Sequence, residues 1–226
     1  MKTLLLLHGA LGCKKQFTAL ETLLSEKYEV HSFNFSGHGG STNEKGFSTE
    51  LFVEDTKQYM EENSIGCCHI FGYSMGGYVA LHFAKIYPHK IGKIITLATK
   101  FDWTPLSAEK EVKMLDPELI ALKVPKFAEM LADRHSPSDW KLVLKKTADM
   151  MIGLGNGSAL TDDDFKSVSA ETIIAVGELD KMVSVESSKK VAHILPNGKL
   201  LILENVEHPI EKVDVRTLAG LIANFI

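Results

Sequence analysis

The chain of 226 residues is 45% apolar and 24% charged, with 25 Lys and Arg against 29 Asp and Glu for a net charge of −4. At about 150 residues per domain this is one unit with room for an insertion, and the near-average composition excludes disordered, collagenous and low-complexity chains. A pI near 6.1 with no run of five like charges excludes a strongly basic nucleic-acid face, and no apolar stretch reaches the ~18 residues of a membrane span.

The chain opens Met1-Lys2-Thr3-Leu4-Leu5-Leu6-Leu7, a run that imitates a signal peptide but falls short of an h-region of about 7–15 residues and leads into His8-Gly9. It reads as a buried strand of a cytoplasmic protein. Cys13, Cys67 and Cys68 are odd in number, with two adjacent, which fits a reducing compartment better than a disulfide framework. Short, nearly continuous apolar runs follow one another at Thr3–Leu7, Val30–Phe35, Cys68–Tyr73, Lys93–Ala98, Thr172–Val176 and Lys199–Leu203, as expected of strands covered on both faces. Helical stripes lie between them: Phe17, Leu20, Leu23 and Leu24; Phe52, Thr56, Tyr59 and Met60; Val79, Phe83 and Ile86; and, at the C-terminus, Ile210, Val213, Leu218, Leu221, Ile222 and Phe225. Strand alternating with helix predicts βαβ units and a doubly wound, mostly parallel α/β sheet.

The alternation stops between Trp103 and Ser169, where no strand is expected and helices are expected over Pro117–Asp133 and Ser138–Ile152. A structureless loop of that length is improbable inside a domain. The division predicted is a core of residues 1–102 and 170–226 with a helical insertion at 103–169. Met114, Met130, Met150 and Met151 fall in the insertion; their adaptable side chains suit either a pocket for apolar ligands or the insertion's own small core.

Ile70-Phe71-Gly72-Tyr73-Ser74-Met75-Gly76-Gly77-Tyr78 carries G-x-S-x-G between a strand and a helix. Such a turn strains the backbone and exposes the serine hydroxyl at the C-terminal edge of the sheet, while Gly72 and Gly76 let neighbouring segments approach. The Met75 N–H then opens a helix and can face a developing oxyanion. A serine needs a histidine to take its proton and a carboxylate to orient that histidine. Of nine histidines, His208 is the candidate, in the loop Glu204-Asn205-Val206-Glu207-His208-Pro209 between the last strand and the last helix. His82 falls in a helix, His31 and His69 in strands, and His89, His135 and His193 look like surface or helix-end residues. Asp180 in Gly177-Glu178-Leu179-Asp180 is the favoured acid, with Asp102 and Glu178 as competitors.

These motifs resemble the α/β-hydrolase superfamily over nearly the whole chain. The order Ser74, Asp180, His208 matches the superfamily's order of nucleophile, acid and base. His8-Gly9-Ala10-Leu11-Gly12 is similar to its HGxxG oxyanion loop, Gly37-His38-Gly39-Gly40-Ser41 to its GHGxS loop, and 103–169 to the position of its cap. The resemblance implies oxyanion donors at Ala10 and Met75, with Leu11 as a further candidate, and structural roles for His8 and His38. It also implies a six-stranded sheet, because Met1 abuts the HG strand where the superfamily usually adds two earlier strands. Asn34 stands where the superfamily often has Asp, which is expected to weaken an anchor of the GHGxS loop.

The function expected is a serine hydrolase that cleaves an ester or thioester of a small, largely apolar acid through an acyl-enzyme on Ser74. No cofactor or metal is expected, nor any nucleic-acid or membrane partner; the oligomeric state stays open between monomer and homodimer. Serine at the nucleophile position argues against the aspartate-dependent dehalogenase and epoxide-hydrolase chemistries of this superfamily. Other readings are a lyase or carbon–carbon hydrolase using the same triad, a peroxide-using acyl transfer, and a ligand-binding protein on the same fold. The three glycines of 153–157 follow a helix, not a strand, and are read as a connector and not a phosphate loop.

Overall fold

A computed structural model describes all 226 residues. Six parallel strands, β1 (Lys2–Leu7), β2 (Tyr28–Ser32), β3 (Cys68–Tyr73), β4 (Ile91–Leu97), β5 (Glu171–Gly177) and β6 (Gly198–Leu203), form one sheet in the order β2-β1-β3-β4-β5-β6. Side chains alternate across a strand, so each continuous apolar run feeds both faces. On β1, Leu5 and Leu7 join one core while Leu4 and Leu6 join the other, all fully buried. Helices α1 (Thr18–Leu24) and α10 (Val215–Phe225) pack together on the Leu4/Leu6 face. Helices α2 (Thr49–Glu62), α3 (Met75–Ile86) and α9 (Val185–Ile194) cover the other. The order reverses between β1 and β3, and the loops leaving their C-terminal ends meet in the crevice where ligands of open α/β sheets bind.

Several boundaries differ from expectation. β2 spans Tyr28–Ser32 instead of Val30–Phe35. Phe33 and Phe35 are buried beyond the strand end, stacked with Tyr59 at 4.7 Å and tilted against Phe52 at 4.9 Å respectively. Leu23 and Ile86, assigned to buried stripes, are 43% and 44% exposed. The C-terminal stripe is broken, because Ile210 packs from a short 3-10 turn (Ile210–Lys212), Val213 follows it in extended conformation, and Asp214 caps α10 by accepting from Thr217 N–H at 2.8 Å.

Between β4 and β5 the chain is helical and has no strand: α4 (Pro105–Val112), α5 (Pro117–Lys123), α6 (Pro125–His135), α7 (Trp140–Gly153) and α8 (Asp162–Lys166). The single helix expected over Pro117–Asp133 is two. Proline lacks the N–H to continue a helix and drives its predecessor out of the helical region; Val124, before Pro125, has φ −136° and ψ 60°. A wide turn at Leu154–Ser158, with Gly157 at φ 109°, follows α7. No helix is long and apolar enough to cross a membrane.

Candidate active site

Ser74 joins β3 to α3 at φ 51° and ψ −116°, a conformation that costs a residue with a Cβ about 1–3 kcal/mol and persists only when its surroundings hold it. Three contacts do so. Ser74 N–H donates to Leu97 O at 2.7 Å, and Ser74 O accepts from Thr99 Oγ1 at 2.9 Å and Gly77 N–H at 3.0 Å. The tightness comes from glycine: a Cβ on Gly76 would collide with the Leu7 carbonyl, and one on Gly72 with the backbone of Gly76 and Gly77. The same glycines thus bring β1, β3 and α3 close together and shape the turn. The Met75 N–H, at the first position of α3, has no helical acceptor behind it, and the helix points its dipole toward Ser74.

The loops after β5 and β6 are zipped to each other. Glu178 N–H donates to Leu203 O and Leu179 N–H to Val206 O, each at 2.9 Å, and a Cβ on Gly177 would meet the Val206 carbonyl. This places Asp180 beside His208. His208 Nδ1 lies 2.8 Å from Asp180 Oδ2, and the carboxylate side chain is fully buried. Its other oxygen, Oδ1, accepts from Met182 N–H at 2.8 Å and Val183 N–H at 2.9 Å, so the carboxylate cannot swing away. With Nδ1 donating to Asp180, Nε2 is the nitrogen free for a substrate or nucleophile. Ser74 and His208 line one cavity, and Tyr73 Oη donates to His208 O at 3.2 Å. No hydrogen bond joins Ser74 Oγ to the ring here; pairs of this kind often tighten only with substrate bound.

The competing acids are elsewhere. Asp102 is half-exposed and pairs with Lys100 at 3.1 Å, and Glu178 accepts from Asn205 N–H at 3.2 Å, tying the two loops together.

Ala10 and Met75 both line the cavity with Ser74. Gly12 N–H donates to Gly9 O at 3.1 Å, closing a turn over Ala10 and Leu11; Leu11, at φ 58°, occupies the place where a type II turn usually takes glycine. His8 is fully buried and holds this loop with both nitrogens: Nδ1 donates to Gly9 O at 2.8 Å and Nε2 accepts from Phe35 N–H at 3.2 Å. Burial lowers its pKa to about 4. His38 is also fully buried, donates from Nδ1 to Ser36 O at 3.2 Å, and is held by burial well below the usual histidine range. The expected weakening at Asn34 is not seen. Its Oδ1 accepts from Lys14 N–H at 2.8 Å and its Nδ2 donates to Gly39 O at 3.0 Å, and the second of these bonds is one a carboxylate could not make.

The cavity encloses about 60 Å³ and is mostly apolar, with Met75, Tyr78, Met182 and Val183 from the core. Trp103, Glu111, Met150, Met151 and Leu154 come from the helical segment between β4 and β5. Two of the four methionines singled out in that segment therefore face the cavity; Met114 and Met130 are 52% and 38% exposed. Sequence reasoning did not single out Lys100 and Glu111, which form a mostly buried ion pair at 3.5 Å on the cavity wall. It also read His135 as a surface or helix-end residue. This residue does end α6, but it is fully buried, and burial lowers its pKa to about 4. Nothing in the local sequence of His135 or Glu111 distinguishes either from an exposed helix residue.

Comparison with known proteins agrees with this architecture. A 2-succinyl-6-hydroxy-2,4-cyclohexadiene-1-carboxylate synthase, so named in Bacillus subtilis, is 23% identical across 97% of this chain and 88% of its own. A pimeloyl-[acyl-carrier protein] methyl ester esterase of Aliivibrio fischeri is 26% identical across 82% of this chain and 78% of its own. The crystal structure of a thermophilic esterase from Thermogutta terrifontis superposes with a TM-score of 0.81 at 19% identity, covering 100% of this chain and 89% of the other. Residues 2–132, more than half of the chain, match the family model for the alpha/beta hydrolase fold, and the protein belongs to the α/β-hydrolase family.

Proposed function

We propose that the protein is a serine hydrolase that cleaves an ester or thioester of a small, largely apolar acid. The observation that carries this reading is a single cavity that holds Ser74 in its strained turn, the N-terminus of α3, and His208 already bonded to a buried Asp180. In the first step Ser74 Oγ attacks the substrate carbonyl carbon and His208 Nε2 takes the hydroxyl proton, while Asp180 stabilises the imidazolium. The tetrahedral oxyanion is met by the backbone N–H groups of Met75 and Ala10; losing one such donor typically costs about 2.7–4 kcal/mol. The bond to the leaving oxygen or sulfur then breaks, and the leaving group departs with the proton from His208. In the second step water, deprotonated by His208, attacks the acyl-enzyme and releases the acid, restoring Ser74.

The helical segment over 103–169 acts as a cap in this scheme. Its Trp103, Met150, Met151 and Leu154 give the cavity apolar walls, and the space of about 60 Å³ favours a short acyl chain. The A. fischeri and T. terrifontis relatives, named as esterases, support ester chemistry. A second reading, a non-hydrolytic reaction such as elimination with Ser74 as a base, is supported by the B. subtilis relative being named a synthase and not a hydrolase. A panel of p-nitrophenyl esters from acetate to decanoate separates them. A burst of one nitrophenolate per protein with kcat/KM highest at short chains is expected, and no turnover of any ester would remove the acyl-enzyme reading in favour of the second.

A further inference from the structure

The segment between β4 and β5 has a small core of its own, Ile120, Leu131 and Leu144, and of the partly buried residues packed against it only Leu11 comes from outside the segment. Leu11 is also the residue beside Ala10 whose φ of 58° lies in the left-handed region, disfavoured for any side chain with a Cβ. Packing alone does not fix the direction of its peptide groups. Two consecutive side chains at the end of α6 do. Arg134 Nη1 donates to Leu11 O at 2.9 Å and His135 Nε2 donates to the same oxygen at 3.2 Å. The other ring nitrogen, His135 Nδ1, accepts from Gly39 N–H at 3.1 Å, so neither ring nitrogen is free to turn elsewhere. Arg134 also reaches across the site: Nη2 lies 3.2 Å from Glu211 Oε1, three residues beyond His208. Glu211 Oε1 accepts in addition from Gln16 Nε2 at 2.7 Å, and Gln16 Oε1 accepts from Cys13 N–H at 3.0 Å, which closes the network back onto the loop after Leu11.

We propose that Arg134 and His135 are positioning residues that clamp Leu11 in its left-handed conformation, so that the adjacent Ala10 N–H is aimed at the oxyanion, and that Arg134 locks this loop to the one carrying His208. The assignment rests on the Ser74 chemistry proposed above and adds to it a part of the catalytic geometry supplied by the helical segment. Neither side chain lines the cavity, so neither contributes to ground-state binding. Their effect falls on an interaction made in the transition state, which lowers kcat and leaves KM in place.

The test uses the full-length protein with Arg134→Gln and His135→Gln, with kcat referred to active sites counted by fluorophosphonate. Each variant should lose about 10- to 100-fold in kcat, as a misplacement near 1 Å does, with KM within about twofold because ground-state binding is untouched. Adding Leu11→Gly to Arg134→Gln should restore part of the lost kcat, since glycine adopts a positive φ without a clamp. A merely structural role gives the opposite result, because losing the Leu11 side chain from the Ile120, Leu131 and Leu144 cluster can only weaken the protein further. Amide hydrogen exchange across residues 9–12 is a readout independent of catalysis, and it should accelerate in both variants. Unchanged kcat, a rise in KM at constant kcat, or unchanged exchange at 9–12 overturns the clamp. If Arg134→Gln does not fold, His135→Gln carries the same comparison. If the wild-type protein neither labels nor turns over, the Ser74 chemistry has failed, and the exchange measurement still decides the clamp.

Discussion

Acid should destabilise this protein well before its carboxylates titrate. His8 and His135 are fully buried, both hold neutral tautomers through backbone contacts, and burial lowers each from 6.5 to about 4. The folded state thus resists a proton that the unfolded chain accepts. For a group depressed on folding, the stability it allows is complete above the unfolded value of 6.5 and is lost as pH falls toward the folded value of about 4. Between pH 7 and pH 5 each such histidine removes about 2 kcal/mol, so the pair removes about 4 kcal/mol, a large share of the roughly 5–15 kcal/mol of a typical domain. His38, held well below the usual histidine range by its burial and by its two histidine neighbours, adds in the same direction. Equilibrium urea unfolding at pH 7, 6 and 5 measures this directly; with an m-value near 2 kcal/mol/M the midpoint should drop by about 2 M. His135→Gln should reduce the loss by about 2 kcal/mol, since one of the titrating groups is gone. A midpoint that holds to pH 5 and falls only below pH 4 would place the transition on carboxylates such as Asp164, whose pairing with Lys85 lowers it to about 2, and would refute the histidine argument.

Other substitutions test the site and its frame. Asp180→Asn should lower kcat by about 10³- to 10⁴-fold by leaving His208 in the wrong tautomer, whereas Asp102→Asn, remote from His208 and paired with Lys100, should change it by less than about twofold; the reverse order in an ester assay would move the acid. Ala10→Val places a β-branched residue in the turn closed by Gly9 and Gly12 and should cut kcat about tenfold with little change in KM, as expected for a displaced oxyanion donor; an unchanged rate would remove Ala10 from that role. Gly76→Ala drives a methyl into the Leu7 carbonyl and should destabilise by about 2–3 kcal/mol in urea unfolding, the range of an overpacked core. A neutral result there would mean that the β1–α3 approach is less tight than the structure has it.

The parallel strands were legible because a strand buried on both faces has no alternative to a continuous apolar run, and Leu4–Leu7 feeds both cores. The Ser74 turn was legible for a different reason, since only glycine at 72 and 76 permits the approach of α3 to β1 and β3. Element ends were harder to place. Phe33 and Phe35 are as buried as strand residues but pack as loop aromatics past the end of β2. The break at Val124 was marked by Pro125, a signal present in the sequence but outweighed by the apolar spacing around it. The clamp was not readable. Arg134 and His135 look like the basic last turn of any helix, and their meaning depends on which loop the fold carries past α6.

The most direct measurement of the proposed chemistry is fluorophosphonate labelling of the wild-type protein followed by peptide mass mapping, beside Ser74→Ala and His208→Ala. One phosphonyl group per chain on Ser74 is expected, absent in Ser74→Ala and slowed by at least about a hundredfold in His208→Ala, which has lost its general base. A wild-type protein that takes up no label, or takes it up on another residue, contradicts the claim that Ser74 is an activated nucleophile.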